Sequence, residues 1–258
     1  MKPTSPDRIR NVALISHGGA GKTSLAEAML FDAGAINRLG SIEAGTTTLD
    51  WDPDEQKHRQ SINLAVATLE HEGVRITLVD TPGYADFQAD VIEALAAADA
   101  VIVVVDASAG VEVGTEEVWR LADARGLPRM IFVNKMDREN ANYDAVLEQL
   151  KARFGPKIAP VYLPIGSAAT FRGYVDVIEE HATVYENGTP KEVPIPADLE
   201  GIEHRAGMRS SRRPPRRATS SWRSTSRARS SATRRSRRPC TRARARAAWC
   251  RSSSAPRP

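Results

Sequence analysis

Short apolar runs alternate with segments of helical spacing along the first 165 residues. The apolar runs predict strands over 12–15, 62–70, 74–80, 100–106, 129–134 and 161–165, and a Glu72-Gly73 turn joins the second and third into an antiparallel hairpin. Helical spacing predicts helices over 22–33, 87–97, 114–125 and 143–153. This alternation is typical of βα units around a mostly parallel sheet, so we predict an α/β fold.

The pattern changes near residue 164. Residues 164–204 contain β-rich runs and an Asn187-Gly188 pair suited to a tight hairpin turn, which predicts a small inserted lobe. Residues 205–258 show no apolar period and are rich in Arg and Ser, which predicts a disordered tail. We therefore expect a main domain over 1–163, an incomplete insert over 164–204 and a low-complexity tail over 205–258.

The charge is divided between two unlike parts of the 258-residue chain. The first 204 residues contain 18 Lys and Arg against all 32 Asp and Glu, whereas the tail holds 18 Arg without Lys or an acidic residue. The net charge of +4 therefore describes neither part. Both cysteines, Cys240 and Cys250, lie in the tail, which leaves the body without a disulfide framework. The apolar run at 100–105 is too short to cross a bilayer, so we expect a soluble cytoplasmic protein without a membrane partner.

A glycine-rich loop follows the first predicted strand and opens the first predicted helix. It reads SHGGAGKT from Ser16 to Thr23, in the context that a phosphate-binding loop requires. Such a loop points successive backbone N–H groups at phosphate oxygens, and the helix N-terminus adds partial positive charge. Lys22 would reach the β- and γ-phosphates, and the Thr23 hydroxyl would ligate Mg²⁺. Ser16 stands where the usual pattern has its first glycine.

Two further motifs follow later strands. Asp80-Thr81-Pro82-Gly83 offers a carboxylate for the metal's water shell and a glycine N–H for the γ-phosphate. Asn134-Lys135-Met136-Asp137 offers a carboxylate that can accept hydrogen bonds from the ring N–H and the exocyclic amine of guanine, a pair that adenine does not present. Each motif lies at the carboxyl end of a strand, where ligands bind in open α/β sheets. The three motifs together predict guanine-nucleotide binding.

These motifs, with their flanks, resemble the GTP-binding domain of elongation factor G and the factor-G-like translational GTPases. The resemblance runs from about residue 8 to about residue 200. It rests on segments in the family's order: SHGGAGKTSLAEAML, AGTTTLDWDPDEQKHRQSI, VDTPGYADF, VVDASAGVEVGTEEVWR, FVNKMDR and LPIGSAATFRGYVDVI. It implies a P-loop NTPase fold with a small β-rich insert, GTP and GDP with Mg²⁺ as ligands, GTPase activity, and the ribosome as partner.

The resemblance also assigns residues. Residues 41–62 match the first switch region, and Ser61 stands where the family usually has a Mg²⁺-ligating Thr. The implied metal residues are Thr23, Ser61 and Asp80, and the implied catalytic residues are Lys22, Gly83 and Tyr84. The implied nucleotide-binding residues are Ser16, His17, Gly18, Gly19, Ala20, Gly21, Lys22, Thr23, Ser24, Asp80, Thr81, Pro82, Gly83, Asn134, Lys135, Met136 and Asp137.

Two departures from the family pattern bear on function. Tyr84 follows the Asp-Thr-Pro-Gly motif where ribosomal GTPases normally have a His that positions the attacking water. A phenol can hydrogen-bond water, but it is neither cationic nor a good base at neutral pH. Residues 58–60 read His-Arg-Gln in place of the family's Arg-Gly-Ile, which indicates an altered partner surface. We therefore expect hydrolysis that is slower or differently arranged, with two alternatives: Tyr84 only packs, or the chain is a GTP-dependent switch that scarcely hydrolyses.

The tail allows two interpretations. An Arg/Ser arm could neutralise RNA phosphates, without sequence specificity. Alternatively, a one-base frameshift near 201–208 replaced the natural sequence, because Arg, Ser, Pro and Ala codons are rich in G and C and Lys codons are not. In the shifted frame the codons of Trp222, Cys240 and Trp249 each force Met, Leu or Val, and the restored string is acidic and amphipathic. By the resemblance, that string would supply a last strand of the core sheet and a Ser-Ala loop at the base. Its loss predicts that 129–134 becomes an exposed sheet edge and leaves open that the chain is an inactive fragment.

Overall fold

The computed structural model describes residues 5–186 and 189–196. Within them a five-stranded sheet contains β1 (Ile9–Ile15), β2 (Ala65–His71), β3 (Val74–Asp80), β4 (Ala100–Asp106) and β5 (Arg129–Asn134). The helices that follow or separate these strands are α1 (Lys22–Asp32), α2 (Pro53–His58), α3 (Gln88–Ala97), α4 (Val113–Ala124) and α5 (Tyr143–Phe154). The predicted α/β fold is confirmed.

The order of the strands brings four carboxyl ends to one edge. The sheet runs β2-β3-β1-β4-β5, with β2 antiparallel to β3 and all other neighbours parallel. The β2–β3 hairpin forms as predicted, and both Glu72 and Gly73 of its turn have positive φ. Because β1, β3, β4 and β5 point the same way, the loops that follow them meet at the same edge of the sheet.

Helices cover both faces of this sheet. Alternate residues of β4 pack on opposite sides, so that Val103 and Val105 meet α3, α4 and α5, while Ile102 and Val104 lie on the α1 side. Every residue of β4 except Ala100 is buried, as expected for a central parallel strand between two helical layers. This rigid centre holds the neighbouring loops in place.

β5 is the last strand of the sheet within the described part of the chain. Met130 and Phe132 are 58% and 38% exposed, and both pair with residues of β4 that belong to the α1 side. The predicted exposed edge at 129–134 is therefore present among the described residues.

A second, antiparallel sheet follows α5. It contains β6 (Tyr162–Ile165), β7 (Gly173–Asp176), β8 (His181–Glu186) and β9 (Thr189–Val193) in sequential order. The predicted strand at 161–165 forms as β6, which pairs with β7 of this sheet, and its buried Leu163 and Ile165 pack on Val175 and Ala182. An apolar run predicts a strand but not the sheet to which that strand belongs. The predicted turn at Asn187-Gly188 and the predicted tail lie outside the described residues.

Helix α2 was not predicted, although the sequence carries its start signal. Asp52 accepts a hydrogen bond from the Asp54 N–H, and the Glu55 side chain accepts one from the Asp52 N–H, with Pro53 at the first helical position. The helix ends at His58, and the next residue, Arg59, has a φ of 55° in the left-handed region that favours glycine. Among the described residues, no helix combines the length and the apolar character needed to cross a bilayer.

Candidate functional site

The loop between β1 and α1 curls around glycines with left-handed backbone. Gly19 has φ 76° and Gly21 has φ 99°, and a Cβ atom at Gly21 would lie 2.4 Å from Nδ2 of Asn134. Residue 21 therefore has to be glycine for its conformation and for the close approach of the Asn134 side chain. Ser16 fits without a left-handed backbone and lies buried at the end of the strand.

Lys22 lies inside the loop rather than in solvent. It is only 6% exposed, and its Nζ donates to Oγ of Ser16 at 3.0 Å. Burial lowers the pKa of Lys22, and the carboxylates of Asp80 and Asp50 oppose that change. A buried ammonium with few protein acceptors is suited to bind an added anion such as phosphate.

Three side chains form a hydrogen-bonded chain next to Lys22. Oγ1 of Thr23 lies 3.0 Å from Oγ of Ser61, and Ser61 donates to Oδ1 of Asp50 at 2.7 Å. Burial raises the pKa of Asp50. The structure thus brings Ser61 to Thr23, although they are 38 residues apart.

The surroundings of Asp80 show whether the side chains of Thr23, Ser61 and Asp80 fit a metal ion. Both carboxylate oxygens of Asp80 are buried next to Thr23 and Thr81, and neither accepts a hydrogen bond of good geometry. Burial raises the pKa of Asp80 to about 6, although the Thr23 hydroxyl and the nearby Lys22 favour the charged form. A buried carboxylate without partners is costly unless a cation or a bound water compensates it. Hard oxygen donors are the ligands that Mg²⁺ takes in proteins, so Thr23, Ser61 and Asp80 fit such an ion.

Two buried carboxylates hold the segment before β2 against the loop. Glu27 of α1 accepts hydrogen bonds from the N–H of Gly40 and from both the N–H and the hydroxyl of Thr48, at 3.0–3.1 Å. Glu55 of α2 accepts from the N–H groups of Ile62 and Asn63, next to Ser61. These contacts fix the segment that carries Asp50 and Ser61.

The loop after β5 is tied to the glycine-rich loop between β1 and α1 by two side chains. Nδ2 of Asn134 donates to the Ala20 carbonyl at 3.0 Å, and Nζ of Lys135 donates to the Gly19 carbonyl at 2.5 Å. Lys135 also donates to Oδ2 of Asp106 at 2.8 Å, and its own backbone has φ 61°. Two motifs more than 100 residues apart therefore form one surface.

The other residues of this tetrapeptide differ in burial. Met136 is buried against Ala107 and Ala141, whereas Asp137 is exposed. The Met136 carbonyl accepts from the N–H of Ala168, in the loop after β6, at 2.9 Å. The second sheet thus supports the loop that presents Asp137.

Asp106 at the end of β4 anchors Lys135. Burial acts to raise the pKa of Asp106, but hydrogen bonds from Lys135 and Ser108 outweigh burial and lower it to about 2. A carboxyl group with a depressed pKa stabilises the folded chain above its unfolded pKa near 4, and that stabilisation is lost as the pH falls towards 2.

Asp106→Asn is expected to lower the free energy of unfolding at pH 7 by about 1–2 kcal/mol, because Lys135 loses its charged partner. The variant should also lose part of the acid dependence between about pH 4 and pH 2. Urea unfolding across this range measures both effects. Asp144→Asn, at an exposed carboxylate, serves as the control and should change little. Equal pH profiles for wild type and Asp106→Asn would contradict this assignment.

The Asp80–Gly83 motif contacts the glycine-rich loop between β1 and α1 directly. The Thr81 hydroxyl donates to the Leu14 carbonyl at 2.7 Å. A Cβ atom at Gly83 would lie 2.5 Å from Nζ of Lys22 and 2.8 Å from the backbone of Gly18. Tyr84 lies beside the same loop and is 44% exposed.

The remaining residues of the loop face elsewhere. Nε2 of His17 lies 3.5 Å from Oε1 of Glu112, at the start of α4, and Ser24 is exposed on α1.

Sequence reasoning missed Asp50, Asp106 and Glu112. An acidic residue directly after a buried strand was the available signal for Asp106, but only tertiary contacts identify the other two.

Comparison with known proteins places these features in a family. The family model described as the elongation factor Tu GTP binding domain matches residues 7–232. The crystal structure of ttk003000868 from Thermus thermophilus is similar, with a TM-score of 0.73 and 44% sequence identity. That match covers 77% of this chain but 30% of the Thermus chain, so this chain spans less than a third of the other's length.

Proposed function

Because the chain belongs to the elongation factor Tu GTP-binding domain family, we propose that it binds GTP and GDP with Mg²⁺ and hydrolyses GTP. We further propose that it serves as the GTP-binding domain of a factor-G-like translational GTPase acting at the ribosome. The observation that carries the proposal is the direct bonding of Asn134 and Lys135 to the phosphate-binding loop. This contact puts a guanine-selective carboxylate, Asp137, and a phosphate-binding lysine, Lys22, on one continuous surface.

Nucleotide binding follows from the groups on this surface. Backbone N–H groups of the loop and the N-terminus of α1 would bind the phosphates, with Lys22 providing a desolvated positive charge. Asp137 would accept two hydrogen bonds from guanine, while Asn134 and Lys135 hold its loop in position. The exposed position of Asp137 leaves its carboxylate accessible to a base.

Hydrolysis requires positioning and charge stabilisation rather than a covalent intermediate. Lys22 would stabilise negative charge on the phosphoryl oxygens, and the N–H of Gly83 would contact the γ-phosphate. Thr23 and Ser61 would hold Mg²⁺ with Asp80 behind them, and the bound ion supplies neutralisation of the phosphate charge. Glu27 and Glu55 keep Ser61 within reach of Thr23.

The factor-G-like assignment is supported by the second sheet. A β-rich insert after the base-binding loop is the arrangement that the resemblance to factor G implies, and β6–β9 follow α5 in that position. The hydrogen bond from Ala168 to Met136 connects this sheet to the base side of the site.

Tyr84→His separates an adapted GTPase from a binding switch with little activity. If Tyr84 takes part in hydrolysis, the substitution is expected to lower the single-turnover rate of GTP hydrolysis by about tenfold or more. Phosphate release with protein in excess over GTP measures this rate. A rise in rate would favour the switch, since a histidine would then supply a missing function. Tyr185→His, at an exposed tyrosine of the second sheet, is the matched control and should leave the rate unchanged.

A further inference from the structure

Gly18 is a glycine that neither the loop pattern nor its backbone explains. The phosphate-binding pattern requires glycine at the positions of Ser16 and Gly21, whereas position 18 is variable. Gly19 and Gly21 have left-handed φ values, but Gly18 does not, so its backbone would accept any residue. A packing contact must therefore account for the missing side chain.

The ring of Tyr84 occupies the space that a side chain at position 18 would need. A Cβ atom added to Gly18 would lie 3.0 Å from both Cε1 and Cζ of Tyr84 and 3.3 Å from Cδ1. Carbon atoms in favourable contact are about 3.5–4.0 Å apart, so an alanine would push the ring away. The close approach of Gly83 to the backbone of Gly18 brings the same segment onto the loop.

We propose that Gly18 is a positioning residue, because the absence of its side chain lets the ring of Tyr84 pack on the phosphate-binding loop. In this position the Tyr84 hydroxyl acts on GTP hydrolysis. This inference rests on the proposed function. Lys22 lies against Gly83, whose N–H is proposed to contact the γ-phosphate. Tyr84 is the next residue along the chain. Tyr84 is 44% exposed, so solvent water reaches part of this residue.

The chemistry assigned to Tyr84 is orientation without net proton transfer. The oxygen of water bonds to the γ-phosphorus while the bond from that phosphorus to the bridging oxygen of GDP breaks. One proton of the water stays on the oxygen that has joined the phosphorus, and the other moves to a second oxygen of the released phosphate. The phenol either accepts a hydrogen bond from the water or donates one to it, and it keeps its own proton. Its effect therefore depends on where the ring is held, which is what Gly18 determines.

A double-mutant cycle tests the pair. Gly18→Ala is measured in the wild-type, Tyr84→Phe and Tyr84→Ala backgrounds, by single-turnover GTP hydrolysis and by the Kd for GDP. We expect Gly18→Ala to lower the rate about tenfold in wild type and less than twofold in either Tyr84 background. Tyr84→Phe alone should lower the rate by a similar factor, with its Kd for GDP unchanged. Any effect of Gly18→Ala on loop geometry itself is common to all backgrounds and cancels in the cycle.

A second readout follows the ring without relying on activity. Fluorine NMR of protein labelled with 3-fluorotyrosine reports Tyr84, whose resonance is the one missing in Tyr84→Phe. Gly18→Ala is expected to shift this resonance. Val113→Ala is the control, because Val113 is 82% exposed at the start of α4, and it should leave the Tyr84 resonance in place.

The results that would contradict the positioning of Tyr84 by Gly18 are distinct from those that would contradict the proposed function. Three results would contradict the positioning of Tyr84 by Gly18 alone. They are an equal loss of rate from Gly18→Ala in all three backgrounds, a Tyr84→Phe rate equal to wild type, and an unshifted Tyr84 resonance in Gly18→Ala. Wild-type protein that binds GTP but does not hydrolyse it would overturn both the pair and the proposed GTPase activity.

Discussion

Asp137→Asn is expected to lower the affinity for GDP by roughly 10²–10⁴-fold and to raise the affinity for XDP. The carboxylate would lose two hydrogen bonds from guanine, each worth about 1.5–3 kcal/mol because the acceptor is charged. An amide can donate one hydrogen bond instead, which suits the carbonyl that xanthine carries in place of the exocyclic amine. Equilibrium titration with fluorescent GDP and XDP measures both changes.

The control for this substitution is Glu139→Gln, which removes an exposed carboxylate two residues further along the same loop. It should leave both affinities near wild type. An Asp137→Asn variant that remains folded and binds GDP as tightly as wild type would show that another group recognises the base.

Asp80→Asn is expected to weaken the binding of Mg²⁺ in the nucleotide complex by about 10–100-fold, because the carboxylate that supports the ion is lost. In wild type the pKa of Asp80 is raised to about 6 by burial, so a proton competes with the ion below that pH. Mg²⁺ affinity should fall about tenfold for each pH unit below 6 in wild type and should vary less in the variant.

Titration of Mg²⁺ into the GDP complex at several pH values measures these effects. Asp99→Asn is the matched control, since Asp99 accepts a hydrogen bond from the Asn11 N–H at the opposite end of the sheet. If Asp80→Asn kept the wild-type affinity and pH dependence, Asp80 would have no part in metal binding.

Much of the fold could be predicted because its signals are local. A run such as Ala100–Asp106, apolar at nearly every position, indicates a strand buried on both faces, and the helical spacing at 143–153 corresponds to α5. The strand β6 was predicted, but its apolar run could not show which sheet it joins, because membership of a sheet is decided by tertiary pairing. Helix α2 was overlooked although Asp52, Pro53 and Glu55 form a recognisable start signal.

The candidate site divides in the same way. The three loops have sequence patterns that come from backbone geometry, so the pattern predicts Lys22, Asp80 and Asn134 as site residues. The contacts that join them could not be predicted, because a buried carboxylate such as Glu27 has the same letter as a solvated one. The packing of the Tyr84 ring on Gly18 is a further contact of this kind. It is seen only in the folded chain, where the segment after β3 lies on the loop between β1 and α1.

Guanine-nucleotide binding by this chain is tested by a calorimetric titration with GDP and ADP, each in the presence and absence of Mg²⁺. We expect saturable binding of GDP that Mg²⁺ strengthens, little or no binding of ADP, and loss of GDP binding in a folded Lys22→Ala variant. Wild-type protein with native circular dichroism that binds neither nucleotide, or that binds both equally, would contradict this expectation.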